Sequence, residues 1–209
     1  KLTEYQASSY HWHYWWPRLE RLAAWFVKHE ESWRKDASIW RLEHEGVLKI
    51  YESPDGSRSF TVTAKADRID RLKAGGGAII DYKTGNPPPK YKVENGKAPQ
   101  LPIEAFLLSR GAYGDVTDVS GMAYWHLTGG SGKAGEIKPV NSDMQGIVNA
   151  TAEGLDKLVR RFEDAQTPYL ALPLTGQLSD DDKAYAHLAR MAEWVSEDAL
   201  LCPVVMMSG

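Results

Sequence analysis

The sequence predicts an α/β fold: a mixed central sheet flanked by helices, with a helical C-terminal extension. Three observations carry this. Segments of period 3.6 and period 2 follow one another in the order helix, strands, helix, strand, helix. Residues 78–82 form a short apolar run of the kind buried on both faces of a sheet. Ser53-Pro54-Asp55-Gly56 and Gly75-Gly76-Gly77 supply turn chemistry between the candidate strands.

Residues 11–31 carry Trp12, Trp15, Trp16, Leu19, Leu22, Ala23, Phe26 and Val27, largely at helical spacing, with Pro17 tolerable near a first turn. Residues 47–51 and 60–66 alternate apolar and polar around the Ser53–Gly56 turn and read as an antiparallel hairpin; residues 69–72 continue its second arm. Residues 78–82 follow, and charge gathers at their C-terminal end, where ligands collect in open α/β sheets. Residues 86–99, rich in Pro, Gly and Lys, read as a long loop. Residues 100–109 read as a helix and 119–127 as a strand with Met122, Tyr124 and His126 on one face. A loop at 129–135, a short strand at 136–140 and a long helix at 144–165 complete the core. The last has Ile147, Leu155, Leu158, Val159 and Phe162 as its stripe. Beyond it, 169–175 reads as extended, and Ser179 is placed to cap a helix through Trp194, with Asp180–Asp182 favourable in its first turn. The expected organisation is one domain over 1–209, with a core at 38–140 and flanking helices at 11–34 and 143–195.

Composition narrows the function classes. The single cysteine, Cys202, excludes an internal disulfide and any four-cysteine zinc or iron–sulfur site within these 209 residues. No signal peptide and no membrane-length apolar run is present, so a cytoplasmic protein without a membrane partner is expected. The net charge of −3 speaks against a surface that grips nucleic acid by charge all over, but leaves room for a local basic groove. Most of the eight tryptophans and ten tyrosines read as core, although aromatics beside a groove can stack bases. Gly129-Gly130-Ser131-Gly132-Lys133 fails as a phosphate loop. Leu127 stands where its first glycine belongs and Ala134 where its Ser or Thr belongs, so this chain is not expected to bind ATP. His11, His13 and His29 read as ordinary helix residues.

The chemistry concentrates in Asp67, Asp81 and Lys83. Residues i and i+2 of a strand share a face, so Asp81 and Lys83 project together. If Asp67 lies on the paired strand, two carboxylates and an ammonium converge. Such a cluster can hold a divalent cation and still present a charged group beside it. An exposed Asp–Lys pair is the plainer alternative, but Asp81 ends an apolar run and, once buried, needs a partner or a metal. Strand period places Asp67 with Ile69 and sets Arg68 and Asp70 on the opposite face; Asp70 is expected to pair with Arg68 or Arg71. Glu43 either completes a metal shell, directly or through water, or is simply exposed. Gln100, opening a helix, either contacts substrate, supports the acid-bearing strand, or is only a helix-start residue.

These residues resemble a known family. The order acid, Asp-Tyr-Lys-Thr-Gly, Gln-Leu-Pro resembles the RecB-like branch of the PD-(D/E)xK nucleases. The wording Leu-Glu-His-Glu-Gly (42–46), Thr-Ala-Lys-Ala-Asp-Arg-Ile-Asp-Arg (63–71), Ile-Ile-Asp-Tyr-Lys-Thr-Gly (79–85) and Ala-Pro-Gln-Leu-Pro-Ile-Glu-Ala (98–105) is similar to AddB-type nuclease domains, as are His187-Leu188-Ala189-Arg190 and Glu193-Trp194. The resemblance implies a restriction-endonuclease-like core and Mg²⁺ as cofactor, with Mn²⁺ able to replace it. Asp67, Asp81 and the Tyr82 carbonyl would be the metal ligands and Lys83 the catalytic lysine, with Gln100 and Glu43 in support. It further implies exonuclease action on single-stranded DNA in double-strand break repair and recombination, an AddA-like helicase–nuclease partner, and an excised C-terminal fragment of a larger protein. An inactive nuclease-fold scaffold that docks a helicase or guides DNA is the alternative. The sequence departs from the pattern in three ways. It lacks the Gly-x-x-x-His setting that many relatives carry upstream. It has Glu104 where the Gln motif often has tyrosine, and it cannot hold the iron–sulfur cluster found in some of them. Lys90, Lys92 and Lys97 either track a DNA backbone or form a solvated loop.

Overall fold

The structure, a computed structural model, describes residues 9–140 and 143–167. The expected segments at 169–175 and 179–194 lie outside the described residues. The chain divides into two compact units, Lys1–Arg161 and Phe162–Gly209; all that follows concerns the first.

Its elements are α1 (Ser9–Trp33), β1 (Ala37–Glu52), β2 (Ser59–Leu72), β3 (Gly77–Lys83), α2 (Lys90–Glu94), α3 (Gln100–Ser109), β4 (Val119–Leu127), β5 (Gly135–Pro139) and α4 (Met144–Glu163). The strands form one sheet in the order β1-β2-β3-β4-β5. Neighbours are antiparallel except β3 and β4, which run parallel, with α2 and α3 in the crossover between them. This is the mixed, helix-flanked sheet that the sequence predicts.

Each face of the sheet has its own core. Ile69, Ile79, Met122 and Tyr124 pack with Leu101, Ala105 and Leu108 of α3 and with Ile147 and Val148 of α4. Ile80, Ala123 and Trp125 pack on the other face against Trp25, Phe26 and Trp33 of α1. The two sets are successive residues of the same strands, so the period of two sends neighbouring side chains into different cores. β3 is consequently buried from Gly77 through Asp81.

Four local expectations are corrected. β1 is far longer than residues 47–51, because register shifts between Ile39 and Arg41 and between Lys49 and Tyr51 interrupt its alternation. The loop at 86–99 contains the short helix α2: Pro89 enters it with φ −66°, and Val93 is buried as its anchor. α1 begins at Ser9, which puts Pro17 two turns inside, where it has no N–H for the carbonyl of His13. The N-terminal half of α1 is not core, since Trp12, Trp15, Trp16 and Leu19 are all exposed.

Candidate functional site

The C-terminal end of β3 is where the fold gathers charge. Beside its parallel neighbour β4, Asp81 pairs in register with Tyr124 and Lys83 with His126. On the opposite edge, pairing with β2 ends at Arg68–Ile80. Past that point the backbone N–H of Tyr82 donates to Asp67 Oδ2 at 3.0 Å. A carboxylate thus takes the place of the next ladder carbonyl, and this fixes Asp67 beside Asp81.

The alternation in β2 slips at this position. Val62, Ala64 and Ala66 contact the α3-side core, and so does Ile69, three residues after Ala66. The partner strand shows why. Glu43, between the pairs Leu42–Arg68 and His44–Ala66, has φ +47°, a left-handed backbone uncommon for a residue with a side chain. Glu43 is not brought to the acid cluster: its exposed carboxylate pairs with Lys65 Nζ at 2.7 Å.

Asp81, Lys83 and Gln100 form a closed set. Lys83 Nζ donates to Asp81 Oδ1 and to Gln100 Oε1, both at 2.9 Å. Gln100 Nε2 donates a short hydrogen bond to the same Asp81 Oδ1 and a longer one, 3.3 Å, to Glu104 Oε1. The amide reads the lysine with its oxygen and both acids with its nitrogen, so its orientation is determined by its partners. Asp81 is 1% exposed. Its Oδ2 lies 2.8 Å from Lys83 Nζ but keeps no aligned donor. Burial pushes the Asp81 carboxyl above the usual carboxylate range, Lys83 pulls it back, and the charge of Asp67 pushes it up again.

Glu104 is the residue that sequence reasoning undervalued. It is 2% exposed, and its Oε2 has no hydrogen-bond partner. Burial first, then the charges of Asp81 and Asp67, push its carboxyl up to about 8, against the pull of the Gln100 hydrogen bond and Lys83. Its signal was one charge inside Gln-Leu-Pro-Ile-Glu-Ala-Phe-Leu-Leu-Ser, four residues after Gln100 and so on the same helical face. Nearby Tyr124 is raised by burial and by Asp81 and Glu104, to about 12.

The other face of β2 answers the question about Asp70. Arg68 Nε and a terminal nitrogen grip Asp70 at 2.7 and 2.6 Å, and its other terminal nitrogen reaches Glu30 at 2.7 Å and the Tyr82 hydroxyl at 3.1 Å. Trp33 Nε1 donates to Asp70 at 2.6 Å. Asp70 therefore pairs with Arg68, on the face away from Asp81. Burial would pull the Arg68 guanidinium down, but its hydrogen bonds to Asp70, Glu30 and Tyr82 hold it well above its ordinary value.

Asp81 Oδ2 is a buried, unaligned carboxylate oxygen, and Asp67 Oδ2 is a further hard oxygen donor at the adjoining strand end. This set fits an oxygen-preferring divalent cation. No group of three or more His, Cys, Asp or Glu side chains among the described residues is arranged to hold a metal ion.

The mixed sheet thus presents two acids and a lysine at adjoining strand ends. The family model of the PD-(D/E)XK nuclease superfamily matches residues 2–190, and the chain belongs to that superfamily. Proteins of unassigned function from Rickettsia bellii (strain RML369-C) and Rickettsia typhi (strain ATCC VR-144 / Wilmington) are each 31% identical to it over 94 residues. That stretch is 45% of this chain and 11% and 10% of the respective relatives. The match thus spans about a tenth of the length of these curated relatives. The crystal structure of SSO0001 is similar at a TM-score of 0.34 and 20% identity, over 67% of this chain and 59% of that one.

Proposed function

We propose that this chain is a metal-dependent DNA nuclease of the RecB-like, AddB-type branch. In this reading it trims single-stranded DNA within a helicase–nuclease complex that processes double-strand breaks. Superfamily membership supports the reaction class, and one observation supports activity: Lys83, Asp81 and Gln100 are mutually hydrogen-bonded, with Asp67 fixed at the adjoining strand end.

Asp67, Asp81 and the Tyr82 carbonyl would hold Mg²⁺, or Mn²⁺ in its place. When bound, such an ion supplies an acidified water and neutralises phosphate charge. The chain's own groups do the rest. Lys83 presents an ammonium to the phosphate oxygens, where charge builds as water adds to phosphorus and the P–O bond to the leaving sugar oxygen breaks. Gln100 holds Lys83 and Asp81 at fixed separation, so neither must reorganise during the reaction. Lys90, Lys92 and Lys97, on the segment leading to α3, would track a DNA backbone.

The test is cutting of a single-stranded oligonucleotide by the purified chain with Mg²⁺, compared with Asp81→Ala and Lys83→Ala. Each variant should lose on the order of 10²-fold or more in rate while keeping a native circular-dichroism spectrum. Wild-type-like cutting by both would end the proposal. The absence of a third acid or imidazole ligand among the described residues favours a second reading, a catalytically silent scaffold. A wild-type chain that cuts with neither Mg²⁺ nor Mn²⁺ would establish that alternative. Retention of the chain by an AddA-like helicase subunit tests the partner.

A further inference from the structure

The exposed aromatic half of α1 forms one wall of a groove of about 610 Å³. Trp12, Trp15, Trp16 and Leu19 line it, and so do Thr84 and Gly85. Those last two are the residues directly after Lys83, so the groove opens where the candidate site ends. Water-facing tryptophans are costly without a use, since each exposes a large apolar area. Here three occur within five residues, each more than 40% exposed.

The wall is built rather than loose. Arg18 donates to the Thr128 carbonyl at 2.9 Å and Arg21 to the Gly129 carbonyl at 3.0 Å, tying α1 to the β4–β5 loop. The Trp12 and Trp16 rings lie 4.8 Å apart at 34°, and Trp16 Nε1 is held by Glu20 at 2.7 Å. The Arg18 guanidinium sits 5.1 Å from the Trp15 ring centroid and 5.7 Å from that of Tyr14. A Cβ added to Gly85 would meet nothing within 4 Å, which leaves the space above the backbone open.

We propose that this groove is a base-stacking track for single-stranded nucleic acid, which delivers the strand to the Asp81–Lys83 site. The occupant is a strand with splayed, unpaired bases. Flat indole faces suit bases of any sequence, and the arginine among them suits the phosphates that link the bases. A duplex keeps its bases stacked inside and cannot use such a wall. The inference rests on the nuclease reading for the strand's destination, but not for its binding.

Intrinsic tryptophan fluorescence of the full chain in EDTA tests it. The probes are a 20-mer of oligo(dT), the same length of abasic phosphodiester, and a duplex. Stacking predicts quenching and binding by oligo(dT), with the abasic strand and the duplex each at least about tenfold weaker. Trp15→Ala and Trp16→Ala should each weaken oligo(dT) by about five- to a hundredfold. Equal affinity for the abasic strand, which needs no variant to measure, would overturn the proposal. So would unchanged oligo(dT) binding in both variants, or a wild-type dimer that these variants convert to monomer with strand binding intact; the last would assign the groove to a second copy. Tryptophan-dependent strand binding without any Mg²⁺-dependent cutting would uphold the track and sink the nuclease reading, so the two failures are distinguishable.

Discussion

Glu104 Oε1 lies 3.3 Å from Gln100 Nε2, one turn further along α3, while Glu104 Oε2 is buried with no partner. The amide that contacts Asp81 and Lys83 is therefore backed by a carboxyl group with its own solvation left unmet. A buried acid of this kind is favoured in its neutral form. It couples the packing of α3 on the sheet to the charge state of the site.

Stability of the metal-free chain should fall as pH rises. The folded-state value of Glu104 is raised to about 8 from an ordinary 4.5, so the folded chain keeps a proton that the unfolded chain releases. Its stabilisation is complete below about pH 4.5 and is lost as pH climbs through about 8. At about 1.4 kcal/mol per pH unit, the interval between those values caps the loss at about 5 kcal/mol. Urea melts in EDTA from pH 5 to 9 should show this slope in the wild type and a flatter one in Glu104→Gln. Parallel curves would refute the assignment.

Asp67 holds the Tyr82 N–H and, in the proposed reading, a cation as well; two substitutions separate the two roles. Asp67→Asn keeps an oxygen for the Tyr82 N–H but removes the charge. It should change stability by less than about 1 kcal/mol and still depress Mg²⁺-dependent cutting on the order of 10²-fold. Asp67→Ala should add a stability loss of about 1–3 kcal/mol, because the Tyr82 N–H then lacks its acceptor. Equal stability of the two variants would show that the 3.0 Å bond to Tyr82 contributes nothing.

What was legible in the sequence divides along physical lines. The bounds of α3 and β4 coincide with the expected 100–109 and 119–127, because each is an apolar run closed by breakers, Pro99 and Gly111 around α3 and Gly114 and Gly129 around β4. The Asp81–Lys83 pairing followed from i, i+2 geometry alone, whereas Gln100 stayed open between site support and a plain helix start, which only its bonds to Lys83 and Asp81 decide. Glu43 stayed open between a metal shell and plain exposure, because its positive φ depends on a tertiary irregularity that no local pattern announces. The exposure of Trp12 to Leu19 escaped notice for a similar reason. Helical spacing shows that such residues share a face, but not whether another element covers it.

The Arg68 network should behave as one unit. Arg68 and Asp70 are 2% and 0% exposed, so Arg68→Ala strands the Asp70 carboxylate without its cation and leaves Glu30 to Arg34 alone. Removing one partner of a buried pair costs about 3–5 kcal/mol, which chemical denaturation would read directly. Glu30→Gln should cost less, since Asp70 keeps its bidentate grip. A smaller loss in Arg68→Ala than in Glu30→Gln would contradict the network as drawn.

Gly129→Ala should loosen the aromatic wall without touching an aromatic residue. Gly129 has φ +62°, and a Cβ there would lie 2.6 Å from the Arg18 carbonyl oxygen, a backbone atom that cannot swing aside. The left-handed backbone adds a strain of about 1 kcal/mol for a residue with a side chain. The substitution must therefore push the β4–β5 loop away from α1 and stretch the Arg18–Thr128 and Arg21–Gly129 hydrogen bonds. Amide hydrogen exchange should accelerate in the first half of α1, while α3, packed in the other core, keeps wild-type protection. Gly132→Ala, in the same loop with nothing within 4 Å of its Cβ, is the matched control and should leave exchange unchanged. If both glycines respond alike, the close approach of Gly129 to α1 is not what holds the wall in place.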